Sequence, residues 1–318
     1  MELNFIAILS KFIPVVVLMG IGYYLRVKTY ISQNTVNDIK KLVVNIALPA
    51  LLFNSFLNVN FQVNYLYIII MVFLGNLILL FTGYKFKGFI GVDDEYVPLL
   101  FSGFEVGMLG IPLFTAVFGI ENVKYIGIID IGHEIYIWFV LLGILLTLKK
   151  GKQSYKQLAR SFITSPIIIA ILMGMVFNTA GIPGLLKNIY LYNGIIDSIS
   201  LLSNITVPLI LLIIGFELDF KANSVRLPLK ISALRLIFAV LVAGLIGFTF
   251  VDFLKLNRMY VLALMVMFIL PPPFIIPLFI KEDKDKDKSY IYNTLSLHSL
   301  ISIAAFMAVS LLASIMFL

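Results

Sequence analysis

The 318-residue chain has no cysteine, one tryptophan, two histidines and little charge, with Asp, Glu, Lys and Arg making up only 13%. The missing cysteine excludes disulfides and thiol chemistry. The shortage of charge excludes more. A soluble domain carries about 25% charged and about 45–50% apolar residues. Here 61% are hydrophobic and the mean hydropathy is +1.04. Too little polar surface exists to coat a water-soluble globule, so the bilayer is the expected solvent. Catalytic patterns are missing too. His133-Glu134 is not followed by a second histidine at zinc spacing, and there is no glycine-rich phosphate loop or nucleophile elbow. The expectation is a non-enzyme without cofactor or metal, drawing on an ion gradient (H⁺ or Na⁺) rather than on ATP.

What is present is a succession of apolar runs. A helix needs ~20 mostly apolar residues to cross ~30 Å of hydrocarbon. Ten segments qualify, near 5–25, 41–58, 63–84, 96–119, 122–148, 163–181, 194–217, 229–251, 259–280 and 289–317. Helices are expected because backbone in lipid must satisfy its own hydrogen bonds; the alternating segments of about ten residues that mark a barrel are absent. The first segment is too long, and too poor in early basic residues, for a cleavable signal, so it counts as a span. The aromatic residues, 14% of the chain, suit lipid-facing and interfacial positions.

The pI near 9.3 comes from loop residues and implies no nucleic-acid partner. Loops following odd-numbered segments hold 18 Lys/Arg, including the Lys281–Lys288 run; the even-numbered loops hold four, Lys124, Lys187, Lys255 and Arg258. Positive residues stay on the cytoplasmic side during insertion. A multi-pass protein of the cell membrane (a bacterial inner membrane) with both termini outside is therefore expected.

The chain also repeats itself. Asn45-Ile46-Ala47-Leu48-Pro49 is echoed by Asn204-Ile205-Thr206-Val207-Pro208, and Ile111-Pro112-Leu113-Phe114 by Ile276-Pro277-Leu278-Phe279. Pro14 and Gly22 are spaced like Pro166 and Gly174, and His133 and His298 lie 165 residues apart. The offsets run 152, 159 and 165 in chain order. Five segments per copy is an odd number, so the second copy enters the membrane from the opposite side. The expected fold is all-α and integral to the membrane, ten helices in two inverted five-helix repeats, 1–150 and 151–318. Secondary transporters are built this way, with sites near the midplane at interrupted helices.

Two interruptions stand out. Segment 4 contains Gly107-Met108-Leu109-Gly110-Ile111-Pro112, and segment 9 contains Pro271-Pro272-Pro273 followed by Pro277. Proline removes a backbone donor and glycine adds backbone freedom. Glu105, Gly107, Gly110, Pro112, Pro272, Pro273 and Asn45 are the candidate substrate-binding residues. Ionisable groups inside spans are costly and thus functional candidates. Glu105, Asp130, His133 and His298 are the coupling or proton-carrying candidates; the alternative for Glu105 is a structural ion pair with Lys11 or Arg235. Asp130, His133 and Glu134 share a helix face, and His298, Ser299 and Ser302 form a weaker stripe. Asn45 and Asn204, each four residues before a proline, are alternatively partners for freed carbonyls. Asn76 and Asn178 suit helix packing.

Gly20-Ile21-Gly22-Tyr23-Tyr24-Leu25-Arg26 and Asn45-Ile46-Ala47-Leu48-Pro49-Ala50-Leu51-Leu52-Phe53 resemble the start of auxin efflux carrier family proteins. That family includes plant auxin exporters and bacterial permeases for organic anions such as malate and malonate. The resemblance implies a scaffold of helices 1, 2, 6 and 7, and a transport unit of helices 3–5 and 8–10. It further implies that helices 4 and 9 cross at their breaks to form the substrate site, that access alternates by an elevator-like motion, and that the chain forms a homodimer. Where the family commonly has Asn-Thr-Gly, this chain has Glu105-Val106-Gly107. A carboxylate there implies proton coupling, cation binding or a different solute. The expected function is secondary transport of a small organic acid, proton-coupled through Glu105. The alternatives are a Na⁺-coupled symporter and a sensor that binds without transporting.

Overall fold

The computed structural model describes residues 2–57, 62–92, 94–150, 155–217, 225–251, 253–280 and 289–317. The Lys281–Lys288 run lies outside the described residues. Every regular element among them is helical. Among the described residues seven helices are long and apolar enough to cross a membrane: α2 (Gln33–Phe56), α3 (Asn64–Ile90), α4 (Val97–Phe118), α5 (Ile120–Lys149), α7 (Tyr190–Glu217), α8 (Arg226–Thr249) and α10 (Tyr290–Ala313). Shorter apolar stretches occupy Phe12–Val27, within α1 (Glu2–Val27), α6 (Pro166–Thr179) and α9 (Met259–Ile269).

The prolines explain several boundaries. Pro166 sits in the first turn of α6, where its missing N–H costs nothing. Inside α2, a π-helical turn at Val43–Ala47 directly precedes Pro49, and Leu48 N–H reaches back five residues to Val43. Widening the turn accommodates the ring without ending the helix. The same device, Val106–Gly110, precedes Pro112 in α4. Two short helices, Tyr155–Ile163 and Ile182–Leu186, are not expected from the sequence. Tyr155–Ile163 carries Tyr155, Leu158 and Phe162 at helical spacing, and is too short and polar to register as a span.

Contacts divide the chain into two compact units. The first comprises Met1–Val63, Gly107–Gly127 and Phe162–Leu218. Here α1 packs on α7, and α6 on α2, at glycines. A Cβ on Gly22 would overlap the Leu212 carbonyl oxygen, one on Gly215 would overlap that of Met19, and one on Gly174 would lie 2.8 Å from that of Phe53. Lipid gives apolar helices little reason to associate, so close backbone approach at small residues supplies the packing. Lys40 pairs with Glu217, and Asn178 Nδ2 donates to the Phe56 carbonyl at 3.3 Å.

The second unit comprises Asn64–Val106, Ile128–Ser161 and Asp219–Leu318. Its core includes Leu99, Leu100, Phe101, Tyr136, Leu141, Ile231, Ile276 and Ile291, all buried. Nearly every side chain of α9 from Tyr260 to Ile269 is buried, as expected of a helix apolar on all sides. Gly132 of α5 lies against the Ile69 main chain of α3.

Replacing Gly22 or Gly174 by alanine is expected to lower stability by about 1–3 kcal/mol, since the added methyl meets backbone that cannot step aside. Gly20→Ala, with nothing within 4 Å, serves as the control. Thermal unfolding in detergent checks this; a Gly22→Ala protein as stable as the control would contradict the packing described.

Candidate functional site

The polar chemistry of the second unit gathers where two helices stop. The first helical piece of α4 ends at Phe101, Ser102 is extended, and Gly103 adopts φ +68°. Only glycine takes that conformation cheaply. The break thus lies at Ser102–Glu105, about one turn before the Gly107–Pro112 stretch that marks it in the sequence. Gly107 and Gly110 belong to the π-helical turn, and Pro112 opens the second helical piece. The wider turn absorbs the proline ring, so Pro112 ends nothing here. α9 stops at Ile269, and Leu270 turns extended before Pro271-Pro272-Pro273. A short 3₁₀ turn follows at Ile276–Phe279.

Three amides and two carbonyls at the α4 break have specific partners. Gly103 N–H donates to Asn76 Oδ1 of α3 at 3.0 Å, and Asn76 Nδ2 is held by the Val72 carbonyl at 2.9 Å. Phe104 N–H donates to His133 Nε2 of α5 at 2.9 Å. Glu105 N–H donates to the Pro271 carbonyl at 2.9 Å. Three successive amides therefore reach three different elements. Arg235 of α8 serves the carbonyls, through Nε to Leu100 at 2.9 Å and Nη2 to Gly103 at 2.6 Å. A guanidinium complements the negative pole of a helix C-terminus, and its carbon lies 4.8 Å from the Phe104 ring centre. Arg235 is 0% exposed, and its Nη1 has no partner among the described residues.

The α9 break is served from the α4 break. Prolines 271–273 have no N–H, and the first amide after them, Phe274, donates to Glu105 Oε2 at 2.8 Å. Pro273 packs on Gly103, where a Cβ would come within 2.8 Å of its ring. Ser302 Oγ lies 2.6 Å from the Ile269 carbonyl.

Comparisons with known proteins point to membrane transport. The membrane transport protein family matches residues 7–306. The chain belongs to this family, the auxin efflux carrier family. An uncharacterized transporter of Methanothermobacter thermautotrophicus is 27% identical over 244 residues, covering 74% of this chain and 77% of the relative. Another, from Methanocaldococcus jannaschii, is 25% identical over 215 residues, covering 65% and 68%. The chain is accordingly a multi-pass membrane transporter, and its family implies a small-molecule solute.

In this transporter Glu105, Pro272, Pro273, Asp130, His133 and His298 fall in the second unit, together with Glu134 and Arg235; Asn45, Gly107, Gly110 and Pro112 fall in the first. Asn45 is exposed and donates to the Lys41 carbonyl at 2.7 Å, one turn back, rather than to the carbonyl that Pro49 frees. The side chain of Lys11 lies outside the described residues, and Arg235 is committed to carbonyls. His133 Nδ1 lies 3.0 Å from Asp130 Oδ1, both buried, and Glu134 accepts from Trp138 Nε1 at 2.9 Å. Donor atoms of Asp130, His133 and Glu134 come within 4.8 Å of one another, close enough for a metal by distance. The ring does not fit that role. Nε2 accepts from Phe104 and Nδ1 faces Asp130, so no imidazole lone pair is left for an ion. His298 is 0% exposed, with neither ring nitrogen in a well-formed hydrogen bond, although the Ile269 backbone acts on it.

Arg235 and Asn76 are the residues that sequence reasoning missed in these roles. An arginine in mid-span is itself the signal for the first; nothing local marks Asn76 as an acceptor for Gly103. Arg235→Lys is expected to destabilise the protein by about 1.5–3 kcal/mol, because an ammonium cannot reproduce the two-pronged contact with Leu100 and Gly103. Thermal unfolding checks it against Lys230→Arg, whose ammonium reaches the Phe89 carbonyl in a more exposed setting; equal stability would contradict the clamp.

Proposed function

We infer that the protein is a secondary carrier, not an enzyme, and that it moves a small organic acid by alternating access. The observation that carries this reading is the mutual hydrogen bonding of two interrupted helices, Glu105 N–H to Pro271 and Phe274 N–H to Glu105, beside an acidic cluster. Interrupted helices expose backbone groups and helix ends that recognise solutes and ions. A carboxylate as deeply buried as Asp130 is expensive to keep charged in a low-dielectric interior, which favours uptake of a proton in this cluster; Glu105, whose carboxylate joins the two breaks, is its carrier in this reading. Na⁺ in place of the proton is the competing version.

Ten spans in two inverted repeats are the proposed architecture, and particular contacts support it. Gly22 meets the Leu212 carbonyl, and Gly174 meets that of Phe53. Gly174 follows Gly22 by 152 residues and Leu212 follows Phe53 by 159, the same offsets as the sequence repeats. Likewise His133 and Phe104 are each 165 residues before His298 and Ile269. Two contact units, each drawing on both halves of the chain, support an elevator in which the second unit carries the solute. Crossing of α4 and α9 at their breaks, a homodimer and outside termini complete the proposal.

Flux in proteoliposomes tests it, with a panel of carboxylates and amines under imposed pH and Na⁺ gradients. Carboxylate flux is expected to follow the pH gradient and to lose that dependence in Glu105→Gln, whose amide oxygen still accepts from Phe274. Saturable binding without flux under any gradient would instead indicate a sensor, and dependence on Na⁺ alone the symporter. Orientation has its own check, since single cysteines can be introduced into a cysteine-free chain. An impermeant maleimide on intact cells is expected to label Asn188→Cys and not Ser154→Cys; the reverse would overturn the topology.

A further inference from the structure

His133 holds the Phe104 amide under a condition that chemistry makes strict. A backbone N–H only donates, so Nε2 must present its lone pair, and the ring proton of the neutral imidazole must sit on Nδ1. Asp130 Oδ1, 3.0 Å from Nδ1, is the acceptor that selects this tautomer. Both side chains are buried. The hydrogen-bonded chain therefore runs from Asp130 carboxylate through the imidazole to the backbone of the α4 break.

We propose that Asp130 and His133 form a proton-binding latch on the α4 break, closed when the pair lacks the extra proton and opened when it gains one. A proton added at the contact between Asp130 Oδ1 and His133 Nδ1 puts hydrogen on Nε2 by either of two routes. If it stays on the ring, both nitrogens carry hydrogen. If it sits on Asp130 Oδ1 and is donated to Nδ1, the one ring hydrogen must move to Nε2. In both cases two N–H groups face each other where the 2.9 Å bond to Phe104 stood, and that amide is released. Its neighbours carry the consequence. Gly103 is the left-handed residue clamped by Asn76 and Arg235, and Glu105 ties the α4 break to Pro271 and Phe274. Protonation at α5 is thus transmitted to the segment that joins the two breaks.

The charged groups acting on the ring are Glu134 from α5, Glu105 from the α4 break and Arg235 from α8. α3 meets α5 through the Ile69 main chain, which adds no charge there. The second half of the chain lacks the acidic part of the device. At the 165-residue offset, His298 replaces His133, but Leu295 stands for Asp130, Leu270 for Glu105 and Ser299 for Glu134. Among the described residues no carboxylate hydrogen-bonds His298, and the proton-sensitive arrangement is that of the first half. His133 is a positioning residue in this account, acting on the solute site through Phe104. The coupling role assigned to the proton rests on the carrier reading; the latch itself is observable without any solute.

With only two histidines in the chain, ¹⁵N labelling of the imidazoles gives two ring systems that His133→Gln and His298→Gln assign. Spectra of the full-length protein in lipid vesicles are recorded as the pH is lowered. The expected result is a His133 ring protonated on Nδ1 alone at alkaline pH that acquires hydrogen on Nε2 on acidification. In Asp130→Asn, that change is expected to be lost at the pH where the wild type shows it. An unchanged His298 signal certifies that the Asp130→Asn and His133→Gln variants are folded. A His133 ring with Nε2 protonated throughout, a ring that never changes in the folded protein, or an Asp130→Asn variant that titrates like the wild type would each overturn the latch. None of these results depends on finding the solute, so the latch can fail while the carrier reading stands, and the reverse.

Discussion

Backbone polar groups have no water to turn to inside a bilayer, and an interrupted helix frees several at once. Leaving even one buried donor or acceptor unsatisfied costs about 1–3 kcal/mol. The break in α4 is possible because Gly103, Phe104 and Glu105 each find a different acceptor, on Asn76, His133 and Pro271. Arg235 takes the Leu100 and Gly103 carbonyls. The polar residues of α3, α5 and α8 are placed where these groups need them. The same requirement accounts for Glu105 at the proline-rich break of α9, where the first available amide needs an acceptor.

This dual service explains how structural and functional chemistry come to share residues. Glu105 and His133 stabilise the broken backbone, and both are ionisable. Whether a proton is present decides what each can accept or donate, so the hydrogen bonding of the breaks is sensitive to protonation. A neutral amide at these positions would satisfy the backbone equally well and would not respond. The first half of the chain carries Glu105, Asp130 and Glu134, while at the 165-residue offset the second half has Leu270, Leu295 and Ser299.

The sequence shows membrane residence, the helical class and the α9 break directly, because length, hydropathy and consecutive prolines are local properties. The α4 break is harder to read. Gly107, Gly110 and Pro112 look like the interruption, yet a π-helical turn absorbs them, and the chain unwinds at Ser102–Glu105. What distinguishes Gly103 is the company of Asn76, Arg235 and Pro273, which lie far away in sequence and become neighbours only on folding. Asp130, His133 and Glu134 are legible as one helix face by spacing alone. Their connection to Phe104 is not, since a histidine on a helix gives no indication of which backbone amide it will meet. Asn45 shows the opposite limit: a polar residue beside a proline reads as a ligand candidate, and in the structure it is spent on its own helix.

The central claim is that the joined breaks serve a carrier that cycles with its solute, and counterflow tests this most directly. Proteoliposomes loaded with an unlabelled short carboxylate such as malate or malonate are diluted into a trace of the labelled compound, with no ion gradient imposed. The account predicts transient accumulation of label above its external concentration for at least one member of a carboxylate panel. Label that binds or equilibrates for every member, without ever rising above the external level, would contradict it.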